Sequence, residues 1–394
     1  MDRGALLVVE LGAVVLGLGV LARVASRLGI SPIPLYLIAG LMLGRGGIIS
    51  VVTSEEFIEV GADLGVIFLL LMLGLEYTAG DLVRGMRTVA PSGLVDLALN
   101  FVPGFAAGLI LGWGVVPSLF LGGVTYISSS GVIAKLLGDL GWTGNRETPV
   151  VISILVFEDL AMAVLLPVLA SLAIGSESFG ELAVTVAISL VAMTAAIAFA
   201  YKQGDRIGGI MLHRSDEASL LSIFGLTLLI AGLAEGFGMS AAVGAFLVGI
   251  SLSGEVVDRA APLLSPLRDL FAAVFFVFFG LSTDPTEIPG VLAVALALGL
   301  VTAGTKVLTG WWAARRAGIG SAGRIRAGLL LTARGEFSII IAGLGAGIAG
   351  ADSLSALAAA YVLVMAVTGP LAAKLVGQRR RRVSPPDREA VSPA

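Results

Sequence analysis

Residues 149–173, PVVISILVFEDLAMAVLLPVLASLA, decide the class of this chain. The run is uncharged from end to end except for two adjacent carboxylates, Glu158 and Asp159, near its middle. A hydrocarbon core of ~30 Å is crossed by roughly 20 residues of α-helix, so the run has the length of a span. Lipid offers no partner to loose backbone amides, and only helices or closed barrels meet that constraint. Barrel strands read as alternating segments of ~10 residues; this run is continuous, so it reads as a helix. An ionisable side chain at the bilayer centre costs ~3 kcal/mol or more. Two in succession mark a candidate functional site.

The rest of the chain has the same character. Of 394 residues 57% are hydrophobic and 13% charged, with a mean hydropathy of +1.00; soluble domains run near a quarter charged. Apolar runs between charged, Gly or Pro punctuation predict thirteen helices. They lie near 4–22, 33–44, 59–76, 90–112, 117–138, 149–173, 180–201, 217–235, 239–253, 264–281, 290–313, 325–347 and 354–375. The second is short, which a tilt or a dip from the interface accommodates. The first has no small-residue cleavage site before Arg23, so it reads as a helix and not a signal peptide.

Charge tests the count. Arg23, Arg27, Arg84, Arg87, Arg146, Lys202, Arg206, Arg214, Arg259, Arg315, Arg316, Arg324, Lys374 and Arg379 to Arg382 all follow odd-numbered runs. The opposite side carries only Arg3 and Arg45, with acids such as Glu55, Glu177, Glu181, Asp284 and Asp352. That asymmetry predicts the N-terminus outside and the C-terminus in the cytoplasm. Arg (21) far outnumbers Lys (4), a pattern of GC-rich bacterial genomes, so the expected location is a bacterial inner membrane.

An internal repeat runs through the chain at an offset of about 206–209 residues. Gly29-Ile30-Ser31 with Gly40 matches Gly238-Met239-Ser240 with Gly249. Asp63-Leu64 with Gly74-Leu75 matches Asp269-Leu270 with Gly280-Leu281. Gly93-Leu94-Val95 matches Gly299-Leu300-Val301, and Thr125 matches Thr332. The offset spans seven predicted helices, an odd number, so the second copy is expected to be inverted across the membrane, a recurrent transporter design. One transmembrane domain over 1–376 follows: repeat one about 4–173, a linker helix 180–201, repeat two about 217–375, then a short basic tail at 377–394.

Several chemistries fall away. The chain has no Cys and one His, His213, in a charged loop, which leaves no thiolate or clustered-His metal site. No phosphate-binding G-x-x-x-x-G-K-[ST] loop is present. No cofactor and no nucleic-acid partner are expected, and no paired nucleophile and base suggests an enzyme.

What remains is charge in lipid. Adjacent carboxylates repel, so one of Glu158 and Asp159 is easier to protonate near neutral pH and can exchange that proton for a cation that prefers oxygen ligands. Lys306, midway along the eleventh run, needs a counter-ion, and Glu158 is the expected one. Thr125-Tyr126-Ile127-Ser128-Ser129-Ser130-Gly131 and Thr332-Ala333-Arg334-Gly335-Glu336-Phe337 occupy repeat-equivalent positions in the fifth and twelfth runs. Small hydroxyl residues and Gly permit unwinding there, and the half-helix ends carry dipoles that Arg334 and Glu336 compensate. Thr125, Ser128, Ser129 and Ser130 are therefore candidate ligands. Asp96, Asn100 (the repeat partner of Lys306) and Glu235 form a second tier.

These features resemble the cation:proton antiporter-2 family, which includes bacterial sodium/proton antiporters and glutathione-gated potassium efflux systems. The carriers are the Glu158-Asp159 pair, Gly335-Glu336-Phe337, Lys306 and the Phe278-Phe279-Gly280-Leu281 before Asp284; together the likeness spans roughly 5–375. The resemblance implies the NhaA-type fold, with a six-helix core beside a dimerisation panel, broken crossing helices, and elevator-like alternating access as a homodimer in lipid. It implies that Asp159 binds cation and proton while Glu158 partners Lys306. Relatives often carry Asp, Asn or Gln where this chain has Glu158. Because the chain ends at Ala394, the nucleotide-binding regulatory domain of the efflux systems is expected to be absent. The expected activity is exchange of a monovalent cation, sodium ahead of potassium, for protons; a sodium-coupled organic-anion symporter on the same architecture is the alternative.

Overall fold

A computed structural model describes residues 3–28, 31–44, 47, 55–76, 79–173, 215–236, 241–252, 255–350 and 353–381, with isolated positions between 180 and 206. The regular elements among the described residues are helices, with no strand. They run α1 (Arg3–Leu28), α2 (Ile33–Leu43), α3 (Glu55–Glu76), α4 (Ala79–Ile110), α5 (Val115–Tyr126), α6 (Ser130–Leu140) and α7 (Thr148–Ala173). After these come α8 (Asp216–Gly236), α9 (Ala241–Ser251), α10 (Glu255–Ser282), a 3₁₀ turn (Pro285–Glu287), α11 (Ile288–Arg316), α12 (Ser321–Leu330), α13 (Glu336–Leu344) and α14 (Leu354–Arg381). Six stretches among them, including Thr148–Ala170 and Pro285–Arg316, are long and apolar enough to cross a bilayer, and the chain is a multi-pass membrane protein.

Two predicted helices are each split in two. The fifth run divides into α5 and α6, and the twelfth into α12 and α13. Ile127 after α5 is extended (φ −75°, ψ 134°). The serines that follow offer the backbone hydroxyl partners in place of helical carbonyls, which weakens the helix locally. The groups released at one break are met by the other: the Ser129 N–H donates to the Ala333 carbonyl at 2.9 Å. Exposed to lipid, such groups would go unmet, so the breaks sit inside the bundle.

Several boundaries differ from the sequence reading, and α1 runs on to Leu28 instead of 22. Helix α4 begins at Ala79 instead of 90, α10 at Glu255 instead of 264, and α14 runs on to Arg381. The reading stopped at proline and charge, but Pro91 lies inside α4 and Pro262 inside α10. Prolines are tolerated within membrane helices, and helices outlast the hydrocarbon once in polar surroundings. The predicted helix 180–201, most of the tail and the matches at Gly29-Ile30 and Gly238-Met239-Ser240 lie outside the described residues.

The repeat glycines meet in a crossed arrangement. Sequence pairs Gly40 with Gly249 and Gly74 with Gly280; in space Gly40 on α2 abuts Gly280 on α10, and Gly74 on α3 abuts Gly249 on α9. A Cβ added to Gly40 would fall 2.8 Å from the Gly280 Cα, and one added to Gly249 would fall 2.7 Å from the Gly74 Cα. Close backbone approach at small residues is how lipid-embedded helices gain packing without a hydrophobic driving force. Around the breaks, Phe120, Leu121, Val124, Met162, Ile339, Ile340, Ile341, Leu357 and Tyr361 form a continuous buried core.

Candidate functional site

Three helices bring one charge each to the centre. Lys306 of α11 places Nζ 2.8 and 2.7 Å from Asp96 Oδ1 and Oδ2 of α4, and 2.7 Å from Glu158 Oε1 of α7. All three side chains are 0% exposed, so their charges are compensated within the protein and not by solvent. The ammonium also lies 5.4 Å from the Tyr126 ring centroid, a cation–π distance. Glu158 is therefore a counter-ion of Lys306, and Asp96, placed in the second tier by sequence, is an equal one.

The helix breaks fold around this cluster. The Ser128 N–H donates to Glu158 Oε2, and the Ser128 hydroxyl lies 3.0 Å from Glu158 Oε1. Arg334 Nη1 donates to the Ser128 hydroxyl and to the Leu331 carbonyl, each at 3.2 Å. The Ser128 hydroxyl also lies 2.9 Å from the Leu331 carbonyl, so its single proton is shared between that carbonyl and Glu158. Arg334 Nε donates to the Tyr361 hydroxyl at 2.9 Å, which lies 2.8 Å from Thr302 Oγ1. Half-helix dipoles explain the placement. Cations stand at the C-terminal ends, with Lys306 against Tyr126 of α5 and Arg334 on Leu331 after α12. Acids stand at the N-terminal ends, with Glu158 on the amide before α6 and Glu336 in the first turn of α13. Each sign sits where a helix macrodipole favours it.

Hydrogen bonds tie α4, α5, α11 and α13 together. Asn100 Nδ2 donates to Asp96 Oδ1 at 2.9 Å, and its Oδ1 accepts from Thr305 Oγ1 at 2.7 Å. Thr125 Oγ1 donates to the Asn100 carbonyl at 2.9 Å, and Ser338 Oγ to the Val124 carbonyl at 2.8 Å. Thr125 thus serves the scaffold.

Asp159, one residue beyond Glu158, is 8% exposed, whereas Asp96 and Glu158 are fully buried; of the three it alone keeps some exposed surface. Ser129 is buried at the crossing and Ser130 opens α6. Glu235 is exposed on α8, which packs on α3, α9 and α10; it does not join the cluster, because its helix belongs to the other side of the bundle. Tyr361, Thr302, Thr305 and Ser338 were not singled out from sequence. A hydroxyl within an apolar run, as in Ala358-Ala359-Ala360-Tyr361, is the signal that marks them.

A second ion pair lies at the end of the bundle where α6 hands over to α7. Glu147 accepts from Arg326 Nε of α12 and, at 3.1 Å, from Asn145 Nδ2; the guanidinium lies 5.5 Å from the Trp142 ring centroid. Burial pushes the Glu147 carboxyl up, but these hydrogen bonds, its own backbone N–H and the Arg326 charge bring it below the usual carboxylate range.

The family model for the sodium/hydrogen exchanger transmembrane domain matches residues 12–376. The chain belongs to the sodium/hydrogen exchanger family. Within it, the chain is similar to the K(+)/H(+) antiporter subunit KhtU of Bacillus subtilis, 35% identical over 376 residues and 93% of each chain. It is also similar to the ammonium/H(+) antiporter subunit AmhT of Alkalihalophilus pseudofirmus, 30% identical over 91% of this chain and 90% of that one. The Na(+)/H(+)-K(+) antiporter GerN of Bacillus cereus is 26% identical over 92% of this chain and 94% of its own. These relatives agree with the resemblance to the cation:proton antiporter-2 family. Among solved structures, the sodium proton antiporter MjNhaP1 of Methanocaldococcus jannaschii superposes with a TM-score of 0.68 at 16% identity, covering 94% of this chain and 98% of that one; the likeness is one of fold.

Proposed function

We propose that this chain is a secondary antiporter that exchanges a monovalent cation for protons, with the two competing for Asp159. The observation that carries the reading is the buried Asp96–Lys306–Glu158 cluster seated where two broken helices meet, with Asp159 one residue further along α7. The cluster is a compensated frame: two carboxylates face Lys306, and Glu158 also reaches Arg334 through Ser128. Asp159 then takes either a proton or a cation, and the crossing supplies hydroxyl and carbonyl oxygens from Ser128, Ser129 and Ser130. Membership in a family whose similar members are named antiporters supports this over an organic-anion symporter or an enzyme.

Sodium ahead of potassium is part of the proposal, because a carboxylate is a high-field ligand that rewards close approach by the smaller ion. The relatives' names include potassium and ammonium, so the test spans all three. The crossed glycine pairs support an inverted repeat; an elevator-like homodimer in the bacterial inner membrane, N-terminus outside, is part of the proposal. Proteoliposomes loaded with a pH dye, pulsed with Na+, K+, Li+ or NH4+ at clamped potential, test the function. Alkalinisation or acidification on a cation pulse supports it; no response to any cation, with sodium-driven uptake of an organic anion instead, overturns it.

A further inference from the structure

Tyr126 closes α5 at the edge of the break and is fully buried. Its hydroxyl makes no hydrogen bond to any described residue. Buried tyrosine hydroxyls nearly always find a partner, and an unmet one costs the fold about as much as a lost hydrogen bond. Its surroundings are not apolar. The ring faces the Lys306 ammonium at 5.4 Å, and the phenol stands within electrostatic range of Asp96, Glu158 and Asp159. Beside the acid cluster, then, lies a buried neutral oxygen with no hydrogen-bond partner among the described residues.

We propose that the Tyr126 hydroxyl is a neutral oxygen ligand for the transported cation and sets how well the site accepts a larger ion. The inference rests on the antiport reading and goes beyond it by naming a ligand and its effect. A cation held by carboxylate alone favours small size. Adding neutral oxygens of lower field strength raises the coordination number and eases the entry of a larger ion. The phenol suits that role, because its oxygen carries lone pairs that no donor among the described residues occupies. Packing alone would require the ring and leave the hydroxyl without purpose.

Tyr126→Phe separates the two, since it keeps the ring and removes only the oxygen. Wild-type protein and Tyr126→Phe, purified at full length, are compared for cation KM and kcat in proteoliposomes and for thermal stabilisation by Na+ and K+ in detergent. For Tyr126→Phe, the KM for K+ should rise roughly five-fold or more, the loss of about one hydrogen-bond-strength ligand. The KM for Na+ should rise less, kcat should stay within about two-fold, and stabilisation by K+ should shrink. An unchanged KM for both ions, with unchanged stabilisation, overturns the ligand role. An equal rise for both overturns the discrimination by size. Should wild-type protein be stabilised by cations yet exchange none for protons, the antiport reading fails while the ligand inference is still decided by the binding arm. If wild type exchanges normally and Tyr126→Phe matches it, only the ligand inference fails.

Discussion

Replacing Lys306 by Met keeps the length of the side chain and removes the ammonium that two buried carboxylates share. In the native protein Nζ lies 2.7 Å from Asp96 Oδ2 and 2.7 Å from Glu158 Oε1, with every side chain at 0% exposure. At an effective dielectric of ~20, attraction across about 3 Å is roughly 5 kcal/mol for each carboxylate. Desolvation of the three charges takes back much of this, and removing one partner of a buried pair costs about 3–5 kcal/mol net. At roughly 2 °C per kcal/mol for a chain of this size, Lys306→Met should lower the melting temperature in detergent by about 5–10 °C at pH 8. The loss should shrink at pH 5, where a proton on one carboxylate substitutes for the missing positive charge. Neutralising the partners as well, in Lys306→Met with Asp96→Asn and Glu158→Gln, should recover much of it, because residues in one buried network are strongly non-additive. A single variant that melts within about 2 °C of wild type at both pH values, or a triple variant no better than the single, would refute this account of the cluster.

Two further perturbations probe the frame. Gly40→Ala forces a Cβ against the Gly280 backbone, where overpacking costs about 1–3 kcal/mol; Gly19→Ala, with nothing within 4 Å of the added atom, should be neutral or stabilising by about 0.5–1 kcal/mol. Equal melting temperatures for the two variants would contradict the close crossing of α2 and α10. At the α7 end of the bundle, the Glu147 carboxyl lies below its ordinary range, so its folded-state value is depressed relative to the unfolded chain. Its stabilising effect is then complete above about pH 4.3, the ordinary glutamate value, and is lost as pH falls through the lower folded value. The melting advantage of wild type over Glu147→Gln should hold from neutral pH to near pH 4 and fade below it; a constant difference across that range would contradict the ion pair.

Much of this site was legible in the sequence because charge in lipid is so costly that Glu158, Asp159, Lys306 and Arg334 announce themselves. The breaks were legible from Ser128-Ser129-Ser130 and Gly335, weaker helix formers that interrupt apolar runs. Their pairing across the repeat indicated that they meet. Asp96 was harder to rank. It sits on α4 four residues before Asn100 in ordinary apolar surroundings, and only the crossing of α4 over α11 brings it to Lys306. Tyr361 and Thr302 were hidden for the same reason, since a hydroxyl on α14 acquires its role from a guanidinium that arrives across the fold. Glu235 differs in the other direction, lying apart from the Lys306 cluster at an exposed position of α8. It is the last residue of the predicted run 217–235, and its side of α8 is exposed, which one-dimensional spacing without a firm helix orientation does not reveal.

The central claim, that a cation and a proton compete for Asp159, is tested most directly by proton release in weakly buffered detergent solution. Adding saturating Na+ or K+ to wild-type protein near neutral pH should acidify the solution, because the cation displaces the proton held at Asp159. Asp159→Asn, shown to be folded by its melting temperature, should release none. Release from Asp159→Asn equal to wild type would contradict the assignment and move the exchange site to another carboxylate.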